Sequence, residues 1–292
     1  MPAFHLFLPQ MRLSPGDLMA RAEAAEEAGF EGLALMDHLV TPGAPDHPVY
    51  EAFTTATWLA AATDRLRLGH LVLCDAFRHP AVLARQAVTL DHLSNGRFEL
   101  GIGSGSTPAE LVASGFGVRG AAARQRRLAE TLELLALFWT GDPVDYRGEF
   151  FTVEGARQLP VPLAGIPIVI GGAGPRTLEL VARFADWWNV PVHRLDRWAD
   201  ARGATGRARV SVQVLVTLVT DESRRDETVE MAARRFGRMG EDAHVVGNGR
   251  EIVTRLRSLA DAGAERIYTW FTDFAPPASL GAFGAEVIAA MG

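Results

Sequence analysis

Apolar residues along this chain fall into short unbroken runs, separated by longer stretches where they recur every three or four positions. A short apolar run bounded by turn residues is the pattern of a strand buried on both faces. The three-to-four spacing is that of an amphipathic helix. In order, the runs predict strands at 4–9, 33–36, 66–74, 97–103, 166–170, 185–190, 209–219 and 265–271. The periodic stretches predict helices at 14–29, 51–63, 80–92, 121–139, 175–184, 222–238, 250–262 and 279–291, with short helical material after Pro108. Ser14 is placed to cap the first helix with Pro15 at its first position, and Gly29 to end it. Residues 40–50 hold three prolines and a glycine and read as a loop. Residues 141–165 read as an excursion with a short hairpin around 150–153. Strand alternating with helix eight times predicts an α/β fold: a single (β/α)8 TIM barrel over 1–292, with insertions after strand ends.

Composition narrows the chemistry. The chain has 292 residues, 48% hydrophobic, and a net charge of −6. That balance argues against nucleic acid or an anionic membrane as the main partner. No apolar window of about 18 residues or secretory leader is visible, so a cytoplasmic protein is expected. Cys74 is the lone cysteine, which excludes an intrachain disulfide and a Cys-rich zinc site. All 29 basic residues are Arg. Schiff-base chemistry and a phosphate-loop lysine are therefore impossible, and any anion must be held by Arg, backbone amides or helix N-termini.

In parallel barrels the chemistry sits at strand C-terminal ends. The second predicted strand ends in Asp37-His38. Neighbouring strand residues face opposite ways, so the two do not both enter the barrel. His38 is the candidate for proton transfer, and Asp37 either shares its catalytic role or orients a neighbour through the backbone. His38 has no second ligand at metal spacing, so no metal is expected. Gly101-Ile-Gly-Ser-Gly-Ser-Thr107 follows a strand and precedes a helix, which suits either an anion or a tight turn. Gly171-Gly-Ala-Gly-Pro175 is a stronger signal: a strand, a glycine cluster and a proline opening a helix aim free amides at a phosphate above the barrel. Cys74 has no adjacent base and reads as core. Trp187, Trp188 and Trp270 suit packing as well as an aromatic pocket.

Placed in order, these pieces resemble the bacterial luciferase-like superfamily of flavin and deazaflavin oxidoreductases. Five stretches carry the likeness: Ala24-Ala-Glu-Glu-Ala-Gly-Phe-Glu-Gly32 with Asp37-His38; Arg67-Leu-Gly-His-Leu-Val-Leu73 with Arg78-His-Pro80; Ala87 to Gly103; Pro167 to Pro175; and Leu259 to Tyr268. The resemblance implies that His38 lies by the cofactor ring as proton donor, base or polar anchor. It implies a non-proline cis peptide at Leu71-Val72 beneath the ring, with Cys74 beside it. It further implies that the loops Gly103–Thr107 and Gly171–Thr177 hold the ribityl-phosphate part, through Gly103, Ser104, Gly105 and Ser106 in the first and Gly171, Gly172, Ala173, Gly174 and Pro175 in the second. Asp-His together with Gly-Gly-Ala-Gly-Pro resembles the branch that uses the deazaflavin coenzyme F-420 (F420). The chain departs from that branch in places. Ser106 stands where some F420 sugar-phosphate dehydrogenases carry a Glu, so an acid at that position is not available. Val40-Thr-Pro42 stands where they carry a tryptophan.

The leading expectation is an oxidoreductase moving a hydride between F420 and an organic substrate, with His38 assisting the proton. The alternatives are an FMN-dependent two-component monooxygenase served by a separate cofactor reductase, and a flavin-binding barrel without turnover. A small-molecule substrate and a homodimer are the expected partners.

Overall fold

The first strand carries His5 and Phe7 on one face and Phe4 and Leu6 on the other, and all four are buried. One face looks into a barrel and the other onto a coat of helices. In the computed structural model, which describes residues 1–116, 120–195, 198–237, 239 and 244–292, eight parallel strands close a ring. They are β1 (Ala3–Phe7), β2 (Gly32–Leu35), β3 (Arg67–His70), β5 (Phe98–Gly103), β8 (Ile168–Gly171), β9 (Trp187–Val190), β10 (Arg209–Leu218) and β12 (Arg266–Phe271). Pairing of β12 with β1 and of β9 with β10 completes the circle. Among the described residues the helices are α1 (Pro15–Glu27), α2 (Ala52–Ala60), α3 (Pro80–Leu93), α4 (Pro108–Ala113), α5 (Ala121–Phe138), α6 (Pro175–Phe184), α7 (Trp198–Ala201), α8 (Arg225–Phe236), α9 (Gly249–Asp261) and α10 (Pro277–Phe283), which runs through a π turn at Gly284–Ile288 into α11 (Ala289–Met291). Among the described residues no helix is long and apolar enough to cross a membrane.

Local chemistry sets the boundaries. Ser14 and Asp17 form a capping box on α1, Pro15 opens it, and Gly29, at φ +90°, turns the chain out of it. Asn248 and Glu251 cap α9 in the same way. The expected hairpin is β6 (Val144–Arg147) against β7 (Thr152–Ala156), outside the ring. Three differences from the sequence expectations stand out. The run 66–74 is not one strand: it breaks at a cis Leu71-Val72 bond and resumes as β4 (Leu73–Cys74) on β5. A further parallel strand, β11 (His244–Gly247), lies on the upper half of β10. The helix expected over 222–238 is a 3-10 turn at Glu222–Arg224 followed by α8, and residue 238 lies outside the described residues.

The lumen is layered. Near its N-terminal end Glu99 of β5 accepts from Arg67 Nε at 2.7 Å and from the Arg266 guanidinium at 2.7 and 3.0 Å. Arg266 also donates to the Tyr268 hydroxyl at 3.1 Å and lies 3.8 Å over the Trp187 ring. Above this layer Phe7, Ala34, Met36 and Tyr268 form an apolar cluster, joined by Leu71 and Trp270. The site lies above that.

Candidate active site

β2 ends beneath the cavity, and Asp37 and His38 part company there. The buried Asp37 carboxylate accepts from the Cys74 amide at 2.8 Å and from Arg78 through both guanidinium arms, at 2.6 and 3.0 Å. Arg78 also reaches Glu51, the N-cap of α2, at 2.6 Å. Burial alone would raise the Glu51 carboxyl, but the Thr54 and Phe53 amides and Arg78 bring it down to about 2. Asp37, taken from sequence as either a catalytic partner of His38 or a group bonding the backbone or a neighbour, is engaged by these donors. Its place is to lock the end of β2 to the start of β4.

His38 faces the other way, into a cavity of about 460 Å³ at the C-terminal end of the barrel. Its Nδ1 lies 2.9 Å from Glu110 Oε2. The other Glu110 oxygen accepts from the Leu39 amide at 2.5 Å and the Val40 amide at 3.0 Å. The Glu110 side chain is 7% exposed and that of His38 is 22% exposed. The carboxylate missing at Ser106 is thus supplied to the site's histidine from one helical turn further on. It meets Nδ1 of that ring.

The bend at Leu71-Val72 pushes Val72 into space that glycines leave free. A Cβ on Gly103 would lie 2.8 Å from Val72 Cγ2, and one on Gly171 would lie 3.3 Å from Cγ1. A Cβ on Gly101 would overlap the His70 carbonyl oxygen, which is backbone and has no rotamer to retreat to. Gly101→Ala is therefore expected to lower stability by roughly 1–3 kcal/mol, read as a drop in the urea midpoint with an unchanged slope. These glycines admit the neighbouring strand as much as they admit a ligand.

Helix α5 braces both glycine loops. Gln125 Nε2 donates to Ser104 Oγ at 3.0 Å and Thr177 Oγ1 at 3.1 Å. With an oxygen lone pair of each hydroxyl occupied, each O–H hydrogen remains free to point elsewhere. Gln125 Oε1 is buried with no partner among the described residues. Two residues along the same helix, Arg127 bonds the Asp75 carbonyl at 2.6 Å and the Arg78 carbonyl at 3.0 Å, and also pairs with the Asp75 carboxylate. Gly174 is the N-cap of α6 with no side-chain cap, and Pro175 occupies the first turn. Trp188, fully buried, donates to the Gly172 carbonyl at 2.7 Å and fixes that loop. Trp187 lies deep in the lumen against Arg266, and Trp270 packs on Phe7 and Phe236. All three tryptophans therefore pack against other side chains.

The cavity gathers Leu71, Val72, Cys74, Gly103, Ser104, Gly105, Ser106, Gly171, Gly172, Ala173 and Gly174 of the sequence candidates. Pro175 is set back at the helix start. Burial pushes the Cys74 thiol up to about 11, so it is a neutral wall group and not a nucleophile. Thr177, at the end of the second expected loop, also lines the space, and sequence reasoning missed Glu110, Gln125, His193 and Arg194, which line it too. The last two follow the end of β9, where the strand-end rule would have found them. Among the described residues no three His, Cys, Asp or Glu side chains cluster as a metal site.

The donor set fits a phosphate-bearing flavin-type cofactor. Two braced hydroxyls and an uncapped helix N-terminus suit an anionic group. Met36, Leu71 and Val72 offer apolar surface near His38.

The family model for luciferase-like monooxygenases matches residues 3–286. The F420-dependent glucose-6-phosphate dehydrogenase of Rhodococcus erythropolis is 36% identical over 180 residues, which is 60% of this chain and 51% of that protein. The chain thus spans about half the length of the curated relatives it matches. An F420-dependent secondary alcohol dehydrogenase, solved with an F420-acetone adduct, superposes with a TM-score of 0.82 at 17% identity, covering 99% of both chains. A monooxygenase from Streptomyces bottropensis superposes at 0.80 with 19% identity, covering 99% of this chain and 100% of its own.

Proposed function

The chain belongs to the luciferase-like monooxygenase family, and from that premise we propose that it is an oxidoreductase moving a hydride between F420 and an organic substrate, with His38 handling the accompanying proton. One observation carries the reading. An imidazole held by a carboxylate shares about 460 Å³ with two braced hydroxyls and an uncapped helix N-terminus. The relatives named as F420-dependent dehydrogenases support the choice of cofactor.

F420, when bound, supplies or accepts the hydride. The chain's residues do the rest. Ser104, Thr177 and the first turn of α6 hold the phosphate. Val72 and Leu71 form the floor, and the Asp37–Arg78 clamp holds the amide of Cys74 just after them. His38 takes or returns a proton at the ring nitrogen facing the cavity.

Titration of the purified protein with oxidised and reduced F420, and separately with FMN, tests this by calorimetry or fluorescence. F420 is expected to bind at least tenfold more tightly than FMN. Preference for FMN would move the protein to oxygen-using chemistry, which also requires a reductase to supply reduced flavin. Binding of neither would remove the enzyme reading.

A further inference from the structure

We propose that Glu110 is the positioning residue of this site: it fixes His38 as the Nδ1–H tautomer, leaving Nε2 as the lone-pair atom facing the cavity, and it staples the start of loop 39–50 in the same contact. What Nε2 then does rests on the function proposed above; the tautomer does not.

The argument is one of donors and acceptors. Backbone amides only donate, so the Glu110 oxygen receiving Leu39 and Val40 acts as an acceptor twice over. As a carboxylate, Glu110 can only accept at its second oxygen too, so the 2.9 Å contact requires the proton on His38 Nδ1. The neutral ring then has a single lone pair, on Nε2. A hydroxyl in the cavity can donate to it, and an imidazolium formed there is balanced from behind. The carboxylate is held rigidly: it is the third residue of α4, which begins at Pro108 directly after the Gly103–Thr107 loop. One buried side chain therefore joins the loop after β2 to the loop after β5, two walls of the same cavity.

The test uses the full-length protein without added cofactor, labelled with 15N histidine. The His38 resonances are identified by their loss in His38→Asn. Wild type is expected to show the Nδ1–H pattern. Glu110→Gln is isosteric. Its carbonyl can still serve both loop amides, but its NH₂ now faces Nδ1, so the ring should switch to Nε2–H. A melting curve superimposable on wild type shows that Glu110→Gln keeps the fold. Glu110→Ala should leave the ring in a mixture of tautomers. An Nε2–H ring in wild type overturns the proposal, and so does an unchanged ring in a folded Glu110→Gln. In a turnover assay Glu110→Gln should lower kcat by roughly 10–100-fold with KM nearly unchanged. A tautomer switch without any F420-linked turnover in wild type would leave this inference standing and defeat the functional one.

Discussion

Replacing His38 by Ala is expected to lower kcat by roughly 10²- to 10⁴-fold, the usual worth of a positioned proton-transfer group. F420 affinity should change by only a few-fold. The split follows from the structure: the groups suited to a phosphate, Ser104, Thr177 and the start of α6, follow β5 and β8 and are braced by Gln125 of α5, whereas His38 follows β2 and is bonded to Glu110. The assay follows the deazaflavin absorbance against the best substrate from a panel of alcohols and aldehydes, with affinity measured separately. Turnover within threefold of wild type would remove His38 from the chemistry. Loss of affinity in step with turnover would make it a binding group. Asp37→Asn provides the contrast, because its carboxylate faces Arg78 and Cys74. Its loss should appear first as lower stability.

The second large effect is expected at the opposite end of the barrel. Glu99→Ala should destabilise the fold by about 3–5 kcal/mol, because it leaves the buried Arg266 guanidinium without its counter-charge. In a chain of this size that is roughly a 10 °C fall in Tm. A double change of Glu99 and Arg266 to apolar residues should recover much of the loss, since neither charge is then stranded. The pH dependence has a definite sign. Burial would raise the Glu99 carboxyl, yet Arg266 and Arg67 bring it down to about 2, below its ordinary 4.5. The folded state therefore favours the ionised form. That stabilisation is fully present above about 4.5 and is lost as pH falls toward 2. His5 adds to the trend, because burial first and Arg266 second hold it neutral in the fold, so acid favours the unfolded chain that can charge it. Denaturant midpoints between pH 7 and pH 3 should fall in wild type and change less in the apolar double variant. A Glu99→Ala protein as stable as wild type would show that the lumen network contributes nothing net.

The ring was legible because its strands are buried on both faces, and buried parallel strands leave plain apolar runs. Leu33–Leu35 and Ile168–Ile170 are of this kind. Chemistry at strand ends was legible by position, which is how His38 and both glycine loops came forward. Glu110 was not. It lies on a helix of six residues, too short to show a period, and its significance comes from a contact 72 residues away in sequence. Gln125 was hidden for the opposite reason: it sits inside a long regular helix as an ordinary polar position. The break after His70 leaves no trace in hydrophobicity, since Leu71 and Val72 continue the apolar run; only the family resemblance pointed to it. β11 offers two apolar residues before a glycine, fewer than a pattern needs.

Closure of the ring has a consequence for how the molecule breathes. Each of its eight strands is held on both sides, so freeing one means breaking two ladders at once. Among the described residues β11 pairs as a strand with β10 on one side, and β6 and β7 pair with each other outside the ring. Local opening is therefore cheapest on the periphery, and amide protons there should exchange through small excursions. Those beneath His38 and the glycine loops should exchange only when the barrel opens as a whole. The cavity floor thus keeps its shape on the timescale of turnover, and adjustment to different substrates falls to the loops above it.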